Sequence, residues 1–217
     1  MERRTMKLRL QITKEPEIRF VSHLDFLRAI ERSIRRAQLP VAYSEGFNPH
    51  MKFSLASALG VGVVSYAEYV EIEMAEPVEV EVAMASLRQN LPRGIRLLAG
   101  EAVATNEPAL MSRADQFEYR VTLPGVDAAL ADKVEQFNKA ANLLYRKPAP
   151  KRKEGYKEVD VKHYIDSVEY KVEQDKTVFH FWIKNFDEGS LKAFDVIRVL
   201  NLPTANADVE RLSIKFR

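Results

Sequence analysis

The sequence predicts an α+β fold of two tandem modules, each running β-α-β-β-α-β, and three observations predict it. Segments of period-two alternation, the mark of a half-buried strand, recur along the 217 residues. Between them lie segments whose apolar residues return at spacings of three and four, as a helix with one buried face requires. The two kinds succeed each other in the same order in both halves, and that order is the split βαβ, ferredoxin-like pattern with antiparallel sheets. The expected N-terminal module spans residues 1–105 and the C-terminal one 114–217, with a linker near "TNEPALMSRAD". No repeat of the sequence itself accompanies the repeat of element order.

In the first half, "KLRLQIT" alternates Leu8, Leu10 and Ile12 against basic and polar residues, so a strand there turns Lys7 and Arg9 outward. "SHLDFLRAIERSIRRAQLP" carries Leu24, Leu27, Ile30, Ile34 and Ala37 at helical spacing, with Ser22 and Asp25 resembling a capping box and Pro40 closing the helix. "MKFSLASAL" and "AEYVEIEMA" follow as strands, with Gly60 and Gly62 allowing a turn between them. On the second strand Glu71 and Glu73 share a face and read as its solvent side. "VEVEVAMASLRQNLP" is a helix presenting Val78, Val82, Ala85 and Leu87, and "GIRLLAGEAVA" is the last strand.

The second half starts with the strand "FEYRVTLP", the helix "DAALADKVEQFNKAA" and the short strand "NLLYRK". A strand or hairpin pair in "DVKHYIDSVEYKVEQDKTVFHFWIKN", the helix "SLKAFDVIRVLN" and the strand "VERLSIKFR" complete it.

Composition narrows the chemistry. A hydrophobic fraction of 46% and a charged fraction of 29% are those of a globular chain. No run of about 18 apolar residues exists, and the start "MERRTMKLRLQITKEP" lacks a signal-peptide core, so a cytoplasmic protein without membrane contact is expected. There is no cysteine, which removes disulfides, thiolate nucleophiles and iron–sulfur ligation. The histidines, His23, His50, His163 and His180, form no H-x-x-x-H pair. Nor is there a G-x-S-x-G elbow, a P-loop or a G-x-G-x-x-G turn. Accordingly no metal, no cofactor and no catalytic residue is expected. Asp160 and Asp166 flank His163 in "DVKHYID", a trio that orients an imidazole or merely edges a hairpin.

Two basic features stand out. Arg28, Arg32, Arg35 and Arg36 make a stripe on the first helix, either a solvated face or a surface whose guanidinium forks take phosphate oxygens. In "YRKPAPKRKEGYK", Arg146, Lys147, Lys151, Arg152, Lys153 and Lys157 are interleaved with Tyr145 and Tyr156, two prolines and a glycine. This composition predicts an extended loop or mobile arm, which either solubilises the chain or binds single-stranded RNA, charges tracking phosphates and rings stacking on bases.

"YSEGFNPHMK" poses a third question. A helix-to-strand connection accounts for Gly46, which can take a positive φ, and for Asn48-Pro49, which favours extended geometry. It does not account for Tyr43, Glu45, Phe47 and His50. Together with His23 these residues make a candidate recognition turn.

The string from Arg19 to Met74, through "SHLD" (Ser22 to Asp25), "YSEGFNPH" (Tyr43 to His50) and "EYVEIE" (Glu68 to Glu73), closely resembles the radical-SAM-linked protein family. Those proteins occur free-standing or as the C-terminal part of larger radical SAM proteins. The resemblance implies an accessory or substrate-handling role beside a radical SAM enzyme as partner. Joined to the basic clusters, it leads to an expected binder of RNA or of an RNA-containing substrate. A protein–protein adaptor is the alternative. A metal-free endoribonuclease using His23 or His50 ranks last, because the tandem ferredoxin-like nucleases that process repeat RNA carry a glycine-rich loop near the C-terminus, whereas "LNLPTANADVERLSIKFR" has no glycine.

Overall fold

A computed structural model describes residues 6–125 and 127–217, so "MERRT", which opens the stretch read as leaderless, lies outside the described residues. The class is α+β, with mainly antiparallel sheet and helices. The chain divides into two compact units, one running to Ala114 and regaining Phe216–Arg217, the other Asp115–Lys215.

The first unit contains β1 (Met6–Lys14), α1 (His23–Arg36), β2 (Phe53–Leu55), β3 (Val63–Met74), α2 (Val80–Asn90), β4 (Leu97–Ala104) and the single turn α3 (Leu110–Arg113). Its strands lie in the order β4-β1-β3-β2, every pair antiparallel. Leu8 pairs with Ile72 and Leu10 with Val70, which puts the apolar residues of both strands on one face. There they form a core with Phe26, Ile30 and Ile34 of α1 and Ala83, Met84 and Leu87 of α2. Burial of a side chain such as Phe26 stabilises by about 1.5–3 kcal/mol. Ser22 caps α1, its Oγ accepting from the Asp25 N–H at 3.2 Å.

Several expectations fail here for physical reasons. Leu24 is 63% exposed, because α1 presents Phe26 rather than Leu24 at the start of its buried stripe. Val82 and Ala85 of α2 also face away from the core, which takes Ala83, Met84 and Leu87. Arg9 and Glu71, expected on the solvent side, are only 7% and 6% exposed. The expected linker is the cause: its Pro108–Arg113 stretch folds over the outer sheet face, with Leu110 buried.

Gly100 on β4 is required by close packing. A Cβ there would lie 2.7 Å from Met84 Sδ and 2.9 Å from Leu10 Cδ2. Gly100→Val is expected to destabilise by about 1–3 kcal/mol through overpacking. Urea denaturation followed by circular dichroism measures this; an unchanged midpoint would mean that α2 gives way freely.

The second unit contains β5 (Ala114–Pro124), α4 (Leu130–Lys139), β6 (Leu144–Pro148), β7 (Tyr156–Asp160), the single turn α5 (Val161–Tyr164), β8 (Val168–Glu173), β9 (Lys176–Lys184), α6 (Ala193–Val199) and β10 (Asp208–Phe216). Its strands lie in the order β10-β5-β9-β8. On β9, Phe179, Phe181 and Ile183 are buried while His180 and Trp182 on the other face are half-buried, the alternation of a sheet covered on one side. "NLLYRK" does not join this sheet. It supplies β6, which pairs with β7 as a separate two-stranded hairpin. The expected extended loop or mobile arm is therefore a hairpin with ladder pairs from Leu144↔Asp160 to Pro148↔Tyr156.

Candidate nucleic-acid interface

The β6–β7 hairpin sorts its basic residues by the period of the strand. Tyr145 and Lys147 of β6 and Lys157 and Val159 of β7 point to one side, and Arg146 and Glu158 to the other. On the outer side the Arg146 guanidinium lies 4.9 Å from the centroid of the Tyr156 ring and 3.9 Å from Glu158. On the inner side Lys147 and Lys157 stand directly opposite each other. Like charges in that relation oppose strand pairing.

A cleft of about 160 Å³ opens at this pair, where Lys147, Lys157 and Arg152 face Glu188, Gly189 and Ser190. The tip that carries Lys151, Arg152 and Lys153 is closed by Arg152 N–H to Ala149 C=O at 2.9 Å and Gly155 N–H to Arg152 C=O at 3.0 Å. Lys147 donates to the Ser190 carbonyl at 2.5 Å. Burial first, then the charges of Lys192 and Lys157, push the Lys147 ammonium below its usual pKa, while Asp195 opposes the shift. Glu188 is the cleft's acid and is held below the usual carboxylate range by a backbone hydrogen bond, by His163 and by Lys157. Three cations, Lys147, Arg152 and Lys157, thus line the cleft with one acid, Glu188.

His163 belongs to this neighbourhood but not as the centre of a trio. Its ring stacks on Phe186 at 4.3 Å and its Nε2 lies 3.3 Å from Glu188. Asp160 instead caps α5, accepting from Lys162 N–H and Leu143 N–H, and Asp166 pairs with Lys184 at 2.6 Å.

The α1 stripe is partly neutralised within its own helix. Arg28 pairs with Asp25 at 3.0 Å and Arg35 with Glu31 at 2.7 Å, while Arg36 donates to the Asn90 carbonyl and Arg32 to that of Arg28. Exposed pairs of this kind contribute about 0–1 kcal/mol each, so a stronger anion can displace them. The Arg35 guanidinium is held above its usual pKa by its hydrogen bonds to Glu31 and, secondarily, by the charge of the ionised Tyr43 side chain.

That turn is fastened at its base and bare at its tip. Ala42 and Lys52 are hydrogen-bonded, Ser44 N–H donates to His50 C=O at 2.8 Å, and His50 N–H donates to Ser44 Oγ at 2.9 Å. Gly46 has φ +117°, a conformation that other residues adopt only with strain. Glu45, Phe47, Asn48 and His50 are exposed, Phe47 fully, and their side chains make no hydrogen bond or ion pair among the described residues. His23 opens α1, next to its Ser22 cap.

The sequence reading missed the polar partners that line the hairpin cleft, Glu188 and Ser190. Alternation with apolar neighbours points Arg9 and Glu71 to solvent, and both are buried. Among the described residues no group of three or more His, Asp or Glu is placed to hold a metal ion, and no helix is long and apolar enough to cross a membrane.

A solved structure titled as a Cbf5–Nop10–Gar1 complex is similar over 94% of this chain, with 12% identity and a TM-score of 0.51, a likeness of fold alone. This chain spans about half, 48%, of the length of that one. The crystal structure of an unknown protein from Galdieria sulphuraria is 8% identical over 98% of this chain and 99% of that one, with a TM-score of 0.28. No curated protein matches the sequence. The model of a family described as uncharacterized protein conserved in bacteria matches residues 7–193, reaching well into the second unit, and the chain belongs to that family, DUF2344.

Proposed function

We propose that this protein is a non-catalytic accessory that binds RNA, or an RNA-containing substrate, for a partner radical SAM enzyme in the cytoplasm. The observation that carries the RNA reading is the convergence of Lys147, Arg152 and Lys157 on one cleft, with Lys147 and Lys157 paired directly opposite each other in the ladder. A phosphate seated there relieves a repulsion that the fold otherwise bears. The partner enzyme enters through the resemblance carried by Arg19 to Met74. Each unit is read as a ferredoxin-like module, on the strand orders β4-β1-β3-β2 and β10-β5-β9-β8, with the β6–β7 hairpin inserted in the second.

The experiment is a titration of fluorescently labelled single-stranded RNA by fluorescence anisotropy at several salt concentrations. Salt-dependent binding is expected, and its absence would end the RNA reading. A specific observation favours a second reading, an adaptor without nucleic acid: Phe47, Phe20 and Leu24 are exposed apolar side chains in the same unit. Co-purification with the enzyme fits both readings, whereas RNA crosslinked to the hairpin fits only the first.

Lys157→Gln separates stability from binding. Removing one of the two opposed ammonium groups is expected to stabilise the second unit by up to about 1 kcal/mol and to weaken RNA binding. The single tryptophan, Trp182, reports that unit's unfolding. A destabilised variant with unchanged RNA affinity would contradict the role given to this pair.

A further inference from the structure

A cleft of the first unit has a volume of about 380 Å³ and is lined by Arg9, Gln11, Tyr69, Glu101, Arg113 and Phe216 among others. The hairpin reading makes no use of it. Its size falls in the range of small-molecule sites. β1 and β3 supply its floor, where a buried ion pair joins Arg9 Nε to Glu71 Oε1 at 2.9 Å. Both partners are held a second time: Arg9 Nη2 donates to the Pro108 carbonyl at 2.8 Å, and the other Glu71 oxygen accepts from Leu110 N–H at 2.7 Å. The guanidinium is thus fixed by its surroundings, and Nη1 is left to donate.

The remaining groups define what fits. Tyr69 and Phe216 meet edge to face at 5.1 Å, giving aromatic surface. Burial pushes the Tyr69 phenol up, so it stays a neutral O–H at physiological pH. Gln11 donates its amide N–H to the Tyr66 carbonyl at 3.2 Å, which leaves its oxygen to accept. Arg113 is anchored through Nε on the Arg217 carbonyl at 3.0 Å and keeps its other N–H groups. The charged groups at the site are Arg9 and Arg113 against Glu71 and Glu101, two of each sign, so the site carries no net formal charge. Aromatic walls, fixed donors and fixed acceptors without net charge suit a flat, neutral ring that carries both donors and acceptors on its edge.

From this geometry we infer that the cleft holds a single nucleobase. The base comes from a free nucleoside or from an unstacked position of an RNA strand. The strand-borne form rests on the RNA reading above; the free form does not.

The test uses the full chain, with adenosine, guanosine, cytidine and uridine separately at millimolar concentration, and a labelled single-stranded RNA of mixed sequence. Amide chemical shifts locate binding. Ala99→Phe, on an exposed strand position that lines the cleft, fills it, and Arg113→Gln removes a donor. A nucleoside that shifts β1, β3 and β4 amides, with affinity about tenfold weaker in Ala99→Phe, assigns the free form. Silent nucleosides, with RNA shifting the same amides and a similar loss in Ala99→Phe at unchanged salt slope, assign the strand-borne form. If neither probe moves these amides, or Ala99→Phe leaves both affinities unchanged, the inference is overturned. Should Ala99→Phe fail to fold, shift mapping on wild type and Arg113→Gln decides by the same criteria. The hairpin reading fails separately, by loss of salt-dependent RNA binding while nucleoside shifts persist.

Discussion

Arg9→Ala and Glu71→Ala are each expected to cost about 3–5 kcal/mol of stability, the penalty for leaving one charge of a buried pair without its partner. The pair lies between β1 and β3 at opposed positions, and the 108–110 backbone closes over it. A lone Glu71 carboxylate would keep the Leu110 N–H but lose its counter-charge. A lone Arg9 would keep only the Pro108 carbonyl. The double substitution Arg9→Met with Glu71→Leu removes both charges and is expected to cost less than either single change. It still leaves the Leu110 N–H and the Pro108 carbonyl short of a partner, about 1–3 kcal/mol each at most. A double-mutant cycle by urea denaturation measures the coupling. Simple additivity of the two single costs would show that the pair does not act as a unit.

Changing Arg146, Lys147, Lys151, Arg152 and Lys153 together to Ala is expected to lower RNA affinity by about 25-fold at 0.1 M salt. Each phosphate contact on a single strand contributes a slope of about −0.7 in log K against log salt. The five include two of the three cleft cations, Lys147 and Arg152, so the slope flattens by about 1.4 units, which is about 25-fold at that salt. Lys147 also holds the Ser190 carbonyl, so Arg152→Gln with Lys157→Gln, which leaves that bond in place, serves as the milder companion. Anisotropy titrations of both variants check the slope. Full affinity in both would remove the hairpin from the binding surface.

The sequence made the strands and helices of the first unit legible because their apolar periods are long and regular. Leu8, Leu10 and Ile12 stand where the alternation puts them, and Ile30, Ile34 and Ala37 are buried as the helical spacing requires. The first turn of α1 misled, since Leu24 and Phe26 both extend the stripe at acceptable angles and only the packing chooses Phe26. Arg9 and Glu71 were illegible for a different reason. Alternation assigns a residue to a face of the sheet, but whether that face is covered depends on a segment 39 positions from Glu71 and 99 from Arg9, and "TNEPALMSRAD" carries no signal of docking.

The hairpin was hidden by its own chemistry. Prolines, a glycine and a run of like charges argue locally for a loop, and the Lys147↔Lys157 pair contradicts the rules by which strands are recognised. Of the basic residues the sequence offers as RNA-contact candidates, the fold brings only some together. Lys147, Arg152 and Lys157 meet in one cleft, whereas Arg28 and Arg35 already hold carboxylates of their own helix. For the recognition turn the reverse applies. Its base is explained by Gly46 and the Ser44–His50 bonds, and its tip residues stay exposed with no folding role among the described residues.

The most direct measurement is the salt dependence of the wild-type protein's affinity for single-stranded RNA. Three cations converging on one cleft predict a log–log slope of about −2. A slope near zero, or no binding at low salt, would contradict the assignment of the hairpin as a phosphate-binding surface.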